Sequence, residues 1–381
     1  MTHKNDDLLE LFKSTVQQAF RLTLGDAESK QNSMVSAWQK LELLVDDAVV
    51  AKDGSRLKEL VPSVGPIYRP LPLVLAFKEY DAKYRLSSRR HMLPSFHEIR
   101  HIVNNAQIHT IAPTLELITF DGDCTLYVQD GSIAPESPLV NWICSLLQDG
   151  IAIALVTAAG YQEAERYEAR IYGLLEAFQE RSFPPSMMHK FYVMGGECNY
   201  LFRANRQYHL ERIPFETYAT SEMRGWQAAD IQEALDLAAT HMETVANALK
   251  LKAKLIRKER AVGMIAAGEH VVFSREQLDE VVLEVQDALR TRFGESLPTC
   301  CFNAGPDVWC DIGNKAKGCE AVMHILGCSR ENTLHVGDQF LSTGNDFAAR
   351  GVCGTLWVAN PRETAKCLKT LHLLRSLGSK G

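Results

Sequence analysis

The chain has 381 residues, of which 46% are hydrophobic and 23% are charged, and its formal net charge is −6 at pH 7. This length is sufficient for two domains with buried cores, and the acidic balance argues against a nucleic-acid binder, which normally has a basic surface. No apolar run approaches the length that a bilayer span requires, so we expect no membrane segment.

The first part of the chain has the apolar spacing of helices. Apolar side chains recur at helical intervals over residues 6–61 and again from Val74 to Tyr84. Ser95 and Glu98 form the capping-box pattern that begins a further helix, which continues through Ala106. We therefore predict an all-helical region over residues 1–110, with a role in regulation or assembly rather than in chemistry.

Two aspartates follow the first predicted strand. Residues Leu115 to Phe120 form a short, nearly continuous apolar run, which is typical of a buried strand. Asp121 and Asp123 come directly after it and, because residues two apart point the same way along a strand, their carboxylates can converge. Two carboxylates at this edge of an α/β sheet can hold Mg²⁺, and one can attack a phosphate. Taken alone, an Asp-Gly turn explains this stretch about equally well.

Three further polar residues follow in order. Thr157 ends a second buried-strand pattern at residues 151–156, Lys315 precedes a helical segment from about Ala316 to Leu326, and Asp338 follows another strand. Each alone has a simpler explanation, as a helix cap, a solvated lysine or a turn cap. With the aspartate pair they form four ordered motifs: Asp121 and Asp123, then Thr157, then Lys315, then Asp338. These four motifs together resemble the haloacid dehalogenase superfamily of Mg²⁺-dependent phosphotransferases.

The spacing of these motifs predicts an inserted unit. Between Thr157 and Lys315 lie 157 residues, far more than one connection within a sheet needs. Short strands at about residues 191–210 and helices within 221–292 indicate an α+β cap, and the resemblance implies the class with its cap between the second and third motifs. We predict a Rossmannoid parallel α/β core over residues 111–180 and 301–381, with the cap over 181–300.

Phosphoryl transfer through an aspartyl-phosphate needs a nucleophile, a proton donor, a metal, a cation and a hydrogen-bond donor. Asp121 fits the nucleophile, and Asp123 fits the acid that protonates the leaving oxygen and then activates water. Thr157 can donate to the phosphoryl group, and Lys315 can offset its charge. Lys317 competes with Lys315, which we prefer because its spacing matches the superfamily pattern. The Mg²⁺ ligands would be Asp121, Asp338 and the carbonyl oxygen of Asp123, with Asp346 supporting them.

Longer stretches resemble a narrower family. The sequence Phe-Asp-Gly-Asp-Cys-Thr-Leu-Tyr around Asp121, the stretch from Asp307 to Lys315, the stretch from His335 to Arg350 and the segment from Pro94 to Gln107 are similar to the IMP-specific 5′-nucleotidases. The resemblance covers nearly the whole chain. It implies hydrolysis of inosine 5′-monophosphate (IMP), a homo-oligomer that is typically a tetramer, and activation by ATP bound near the helical region.

The resemblance directs attention to residues that can contact these nucleotides. Trp309 or Phe347 can stack on hypoxanthine, although each is equally well explained as a core aromatic. Asp130 can bind the ribose or the base, and an Asp-Gly turn explains it nearly as well. Arg100 and His101 are the candidate ATP contacts. The full set of candidate substrate contacts is Asp123, Asp130, Thr157, Trp309, Lys315 and Phe347.

The cysteines indicate which kind of cellular compartment, reducing or oxidising, the protein occupies. The chain has ten, without a C-x-x-C pair, and most lie in apolar or helical segments. This argues against a zinc site and favours buried free thiols in a reducing compartment. The first residues are polar and lack the apolar core of a secretory signal, so we expect a cytoplasmic protein.

Two alternatives to a nucleotidase remain. The four motifs alone allow a sugar phosphatase or a phosphohexomutase of the same cap class; a mutase should need a bisphosphate activator and release no free phosphate. A catalytically retired regulatory scaffold is the other alternative. The intact set of Asp121, Asp123, Lys315 and Asp338 argues against it.

Overall fold

The computed structural model describes residues 6–23 and 26–378. Residues 1–5 and 379–381 lie outside the described residues. They include the N-terminal residues on which we based the prediction that the chain has no secretory signal. Within the described part of the chain, no helix is both long and apolar enough to cross a bilayer. All ten cysteines are free thiols and most are buried, as predicted.

The N-terminal region is helical, as predicted. Phe12, Trp38 and Phe77, from three different helices, form an aromatic centre in which Trp38 packs edge-on against Phe12 and stacks on Phe77. The capping box predicted at Ser95 and Glu98 is present at the start of the last of these helices. The helices are α1 (Asp7–Leu22), α2 (Ala27–Ala51), α3 (Arg56–Leu60), α4 (Leu73–Tyr84) and α5 (Phe96–Ile111).

A mixed, mainly parallel sheet forms the core. Its strand order is β11-β10-β1-β2-β3-β4-β5; strands β11 to β3 are parallel in this order, and β4 and β5 are antiparallel. The first half of the core contains β1 (Leu117–Phe120), α6 (Pro138–Gln148), β2 (Ala152–Val156), α7 (Ala164–Glu168), α8 (Tyr172–Glu180), α9 (Pro185–Met188), β3 (Phe191–Gly195), β4 (Tyr200–Ala204), β5 (Leu210–Ile213), α10 (Phe215–Tyr218) and α11 (Ser221–Gly225).

A second, antiparallel sheet with the order β6-β7-β9-β8 packs with two long helices between the two halves of the core sequence. This insertion consists of α12 (Ala228–Ala248), β6 (Ala253–Arg257), β7 (Ala261–Ala266), α13 (Arg275–Phe293), β8 (Thr299–Asn303) and β9 (Val308–Ile312). The chain then completes the core with α14 (Lys315–Leu326), β10 (Thr333–Gly337), β11 (Gly354–Trp357) and α15 (Pro361–Gly378). The predicted class, a parallel α/β core with an inserted α+β unit and a helical N-terminal region, is confirmed.

Two groups of strands differ from their predicted positions. Strands β3 to β5, which we placed in the cap, extend the core sheet because Ile153 of β2 pairs in parallel with Phe191 of β3. Strand β9 and the end of β8, which our boundary at residue 301 placed in the second half of the core, belong to the inserted sheet, where β9 pairs with both β7 and β8. A strand pattern in the sequence predicts an extended segment and leaves its pairing partner open.

Helix α5 connects the helical region to the edge of the core sheet. Asn104 donates to the backbone carbonyl of Trp357 at 2.7 Å and accepts from its N–H at 3.1 Å. Trp357 is the last residue of β11, which is an edge strand. Phe96 of α5 also packs edge-on against the indole ring. The side chains of one helix thus satisfy backbone groups that an edge strand would otherwise leave open.

Candidate active site

The first two carboxylates lie where β1 ends. The backbone N–H of Asp121 donates to a carbonyl oxygen of β10 at 2.8 Å, which fixes Asp121 at the carboxyl edge of the parallel strands. The chain then turns at Gly122, where a Cβ atom would come within 2.3 Å of the Tyr127 hydroxyl. Only glycine permits this approach. Asp123 is half-buried, and its Oδ1 accepts from the backbone N–H of Asp130 at 2.6 Å.

Lys315 begins α14 and lies fully buried beside Asp121. Its Nζ donates to Oδ1 of Asp121 and to Oδ1 of Asp346, both at 2.5 Å. Burial alone would lower the pKa of Lys315, but these two carboxylates hold it well above the ordinary value, so the side chain remains a cation. The competing Lys317 instead pairs with Glu222 and with a neighbouring carboxylate of α14. Of the two lysines, Lys315 is the one that contacts Asp121.

Asp346 is held as a buried anion. Its Oδ1 also lies 3.0 Å from Nε2 of His335, and its Oδ2 accepts from the backbone N–H of Gln339 at 2.8 Å. Burial raises the pKa of Asp346, but Lys315 and then His335 outweigh that effect and hold it below its usual range. Sequence reasoning missed His335, which is fully buried inside β10.

The carboxylates of Asp121, Asp338 and Asp346 form an acidic triad. Each offers one ligand atom, and these atoms lie within 4.8 Å of one another; the residues that the structure describes contain no other such group of potential ligands. Burial raises the pKa of Asp121 to about 6, although Lys315 opposes this shift, so a further cation would favour the ionised form. A set made of oxygen atoms alone suits Mg²⁺ rather than a softer metal. The residues present therefore fit the predicted metal.

Thr157 follows β2, and its hydroxyl lies beside the loop that carries the aspartates. A Cβ atom at Gly122 would be 3.5 Å from Oγ1 of Thr157. That oxygen accepts from the backbone N–H of Ala159 at 3.2 Å. Because this bond uses a lone pair of the oxygen, the hydroxyl can still donate its proton to a ligand.

The inserted unit reaches the same loop through the hairpin between β8 and β9. Gln129 donates to the carbonyl oxygen of Ala304 in that hairpin at 2.9 Å. The next residue, Asp130, is exposed and pairs with Arg170 at 3.3 Å. A cavity of about 270 Å³ extends from Asp338 to residues of the inserted unit, among them Arg275, Asn303 and Gly305. Asp338 of the acidic triad therefore borders a cavity that the inserted unit also lines.

The two candidate aromatic platforms have different surroundings. Trp309 belongs to the inserted sheet, where Nζ of Lys258 lies 4.2 Å from its ring centroid. Phe347 lines a cavity of about 440 Å³ between the N-terminal helices and the core, together with residues such as Tyr68 and Arg350. Of the two aromatic residues, Trp309 is the one in the β8–β9 strand pair, and the hairpin of that pair contacts the loop that carries the aspartates.

Arg100 and His101 both contact Glu363 at the start of α15. The guanidinium of Arg100 is only 2% exposed; it lies 2.8 Å from Glu363 and also donates to the carbonyl oxygen of Trp357. The ring of His101 lies 3.2 Å from Glu363. Burial would raise the pKa of Glu363, but His101 and Arg100 lower it to about 2. Arg100 thus holds α5 on the core, and His101 is the more accessible of the two.

Sequence reasoning also missed Glu197. This residue follows β3, is fully buried, and accepts from Nδ2 of Asn345 at 3.1 Å. Burial raises the pKa of Glu197 well above its ordinary value, which favours the protonated form. An acidic residue after a predicted strand was the available signal. Because we placed that strand in the cap, the signal was not connected with the catalytic edge.

Comparison with known proteins supports the sequence resemblance. Residues 2–368 match the model of the IMP-specific 5′-nucleotidase family. IMP-specific 5′-nucleotidase 1 of Neurospora crassa is 39% identical, with 97% of this chain and 95% of that protein covered. The protein of the same name from Aspergillus fumigatus is 42% identical, with 87% and 76% covered.

Solved structures give the same result. The structure of N-terminal truncated IMP-nucleotidase from Plasmodium falciparum is 34% identical with a TM-score of 0.88, and the match covers 97% of this chain and 100% of that one. Structures of the Plasmodium enzyme described as IMP-bound (N-terminal truncated) and ATP-bound have TM-scores of 0.84 and 0.85, each at 34% identity. They cover 96% and 97% of this chain, and 94% and 85% of the respective solved chains.

Proposed function

The chain belongs to the IMP-specific 5′-nucleotidase family, and from that membership we propose that it uses Mg²⁺ to hydrolyse IMP to inosine and phosphate. The reaction would pass through an aspartyl-phosphate on Asp121. The observation that carries this proposal is the buried ammonium of Lys315, 2.5 Å from Asp121, beside an acidic triad at the edge of the sheet. A carboxylate can attack a phosphate only if nearby cations offset their mutual repulsion.

In the first step, a carboxylate oxygen of Asp121 attacks the phosphorus atom and the bond from phosphorus to the 5′ oxygen breaks. Asp123 gives its proton to that leaving oxygen. Burial raises the pKa of Asp123, despite the N–H of Asp130 that opposes the shift, and this suits a proton donor. In the second step, Asp123 takes a proton from water as the water attacks the phosphorus atom, the bond between phosphorus and the Asp121 oxygen breaks, and free phosphate leaves.

Other side chains hold the phosphate and the metal. The Lys315 ammonium and the Thr157 hydroxyl would contact the nonbridging oxygens. Mg²⁺, when bound by the side chains of Asp121 and Asp338 and the carbonyl oxygen of Asp123, supplies further positive charge to the phosphate. The carboxylate of Asp346 would keep Lys315 charged and hold it in place.

The nucleoside part would lie under the inserted unit. Asp130 is proposed as a ribose or base contact, because its loop touches the hairpin between β8 and β9. Trp309 is the better supported aromatic platform. Phe347 remains a candidate that lines the cavity beside the helical region.

Regulation is proposed at the N-terminal helices. The related Plasmodium enzyme has been solved in an ATP-bound form. We propose that ATP activates this enzyme through a site that includes His101 and Arg100, in a cytoplasmic homotetramer. No nucleic-acid or membrane partner is proposed.

Substrate choice is tested by phosphate release from IMP, AMP, GMP, pyrimidine monophosphates and hexose phosphates. We expect IMP to give the highest kcat/KM, and we expect EDTA to stop the reaction until Mg²⁺ is restored. Faster release from a hexose phosphate would favour the sugar phosphatase. Isomerisation without free phosphate, dependent on a bisphosphate, would favour the mutase, and inactivity on all substrates would favour the retired scaffold.

Replacing Asp123 with asparagine removes the proposed acid and base while keeping the shape of the side chain. We expect the rate of phosphate release from IMP to fall by about 10²–10⁴-fold, which is the usual contribution of such a group. The acceptor of the Asp130 N–H is preserved, so the loop should remain folded. Asp149→Asn, at the surface after α6, is the matched control. Near-normal hydrolysis of a substrate with a poor leaving group would show that another residue supplies the proton.

ATP should lower the IMP concentration needed for half-maximal rate, and His101→Ala should weaken this effect. By linkage, IMP must then tighten ATP binding by the same factor if both act at equilibrium. ATP is titrated into wild type, His101→Ala and Arg100→Ala, following rate and nucleotide binding. Arg89→Ala, which breaks an ion pair with Glu98 at the start of α5, is the control. Equal activation of all four proteins would remove both candidates from the site.

A further inference from the structure

Trp357 connects the N-terminal helices to the loop that carries Asp338. Its indole Nε1–H donates to the backbone carbonyl oxygen of Asp338 at 2.8 Å. In the sheet, Trp357 stands opposite Gly337, the residue before Asp338. The indole is only 4% exposed and packs against Phe96 of α5 and Phe340. Its orientation is therefore fixed by packing from the helical side.

The backbone of the Asp338 loop is held on both sides of this residue. The carbonyl oxygen of Gly337 accepts from the N–H of Val358 at 2.9 Å. The N–H of Gln339 donates to Asp346 at 2.8 Å, and its carbonyl oxygen accepts from the N–H of Asp346 at 3.1 Å. The carbonyl oxygen of Asp338 lies between these bonds, and its donor is a side chain from the neighbouring strand. That indole N–H fixes the peptide from which the Asp338 side chain projects.

A fixed backbone at Asp338 matters because the three carboxylates of the triad repel one another. Ligand atoms of Asp121, Asp338 and Asp346 lie within 4.8 Å, and among the three Asp338 is the most exposed. A half-exposed side chain can relieve the repulsion by turning towards solvent, whereas Asp121 and Asp346 are buried beside Lys315. Holding the Asp338 peptide fixes the direction of its Cα–Cβ bond, which limits the positions that the carboxylate can reach.

Trp357 also lines both cavities. It forms part of the wall of the 270 Å³ cavity at Asp338 and of the 440 Å³ cavity beside the N-terminal helices. Its backbone groups are held by Asn104, as described above, and its carbonyl oxygen accepts from Arg100 as well. One residue thus receives contacts from α5 on its backbone and, through its indole, makes one to the loop of the acidic triad.

We propose that Trp357 is a positioning residue for the metal site: its indole N–H holds the Asp338 peptide so that the carboxylate faces Asp121 and Asp346. The inference rests on the proposed function in one respect, namely that Asp338 binds Mg²⁺. Partners that orient metal ligands change metal affinity by about 10–100-fold when they are removed.

The test is Trp357→Phe, which keeps an aromatic ring and removes the N–H. We expect the Mg²⁺ concentration for half-maximal rate to rise about tenfold, with kcat at saturating Mg²⁺ changed much less. Without substrate, the Mg²⁺ concentration that raises the thermal unfolding midpoint should increase by the same factor. Trp142→Phe is the matched control, because that indole packs on His372 of α15, on a different part of the core. It should leave both Mg²⁺ concentrations unchanged.

Unchanged Mg²⁺ dependence of Trp357→Phe in both measurements would overturn the proposal. If that variant does not fold, Asn104→Ala replaces it, because it removes two of the hydrogen bonds that hold the backbone of Trp357 and leaves the one from Arg100. A rise in both Mg²⁺ concentrations would then support the proposal, and no rise would overturn it. If Mg²⁺ changes neither the rate nor the unfolding midpoint of wild type, the proposed metal function fails, and this inference fails with it.

Discussion

Asp121→Asn is expected to lower phosphate release from IMP by a factor on the order of 10⁴–10⁶, as losses of other enzymatic nucleophiles do. The change replaces one oxygen by an NH₂ group of nearly the same size, so the fold and nucleotide binding should persist. Lys315 keeps Asp346 as a buried partner, and the lysine should therefore stay charged. Phosphate release and calorimetric IMP binding measure the two effects separately.

A second measurement identifies the attacked residue. Wild type with beryllium fluoride and Mg²⁺ should form a stable adduct on Asp121 that mimics the aspartyl-phosphate, and Asp121→Asn should not. Asp149→Asn serves again as the surface control. Substantial phosphate release by Asp121→Asn would exclude Asp121 as the nucleophile.

Lys315→Met is expected to remove activity and to lower the free energy of unfolding by about 3–5 kcal/mol. The methionine fills similar volume, but it leaves two buried carboxylates without the cation that both contact at 2.5 Å, and an uncompensated buried charge has this magnitude of effect. Denaturant unfolding measures the loss. Lys317→Met, a more exposed lysine two residues on, should change stability by less than about 1 kcal/mol.

The stability of the Lys315→Met variant should also depend on pH, and the direction of this dependence can be derived. In wild type, burial already raises the pKa of Asp121 to about 6, against the opposing effect of Lys315. Without the lysine that pKa must rise further, so the folded state binds more protons than the unfolded state, and its stability increases as pH falls. The difference between variant and wild type should shrink from pH 8 towards pH 5. Adding Asp346→Asn should restore part of the lost stability, and a double variant no more stable than Lys315→Met would contradict this account.

Much of the site could be predicted because its geometry is local. Asp121, Thr157 and Asp338 each end a buried parallel strand, and the carboxyl ends of such strands meet at one edge. Lys315 could be chosen over Lys317 from spacing, and the structure places it against Asp121. Short-range pattern and the rules of sheet topology were sufficient for the three residues at strand ends, whereas the choice of Lys315 depended on the resemblance to the superfamily.

What could not be predicted depends on pairing and packing between distant segments. The sequence of β3 indicates a strand without indicating that its partner is β2, so Glu197 was not connected with the catalytic edge. Arg100 looked like a surface residue for binding ATP, yet its guanidinium is buried against Trp357 and Glu363, more than 250 residues away. Phe347 follows Asp346 directly, and it nevertheless lines the cavity beside the helices. No local pattern carries such information.

The contact between α5 and β11 determines which truncated fragments of the protein should remain soluble. Strand β11 is an edge of the core sheet, and Trp357 shares a hydrophobic cluster with the N-terminal helices. A fragment that begins after α5 would expose this apolar surface together with an open strand edge, the combination that leads sheets to pair with other chains and aggregate. The helical region thus covers this edge of the sheet in the folded protein. Fragments meant to isolate the catalytic half should therefore retain α5.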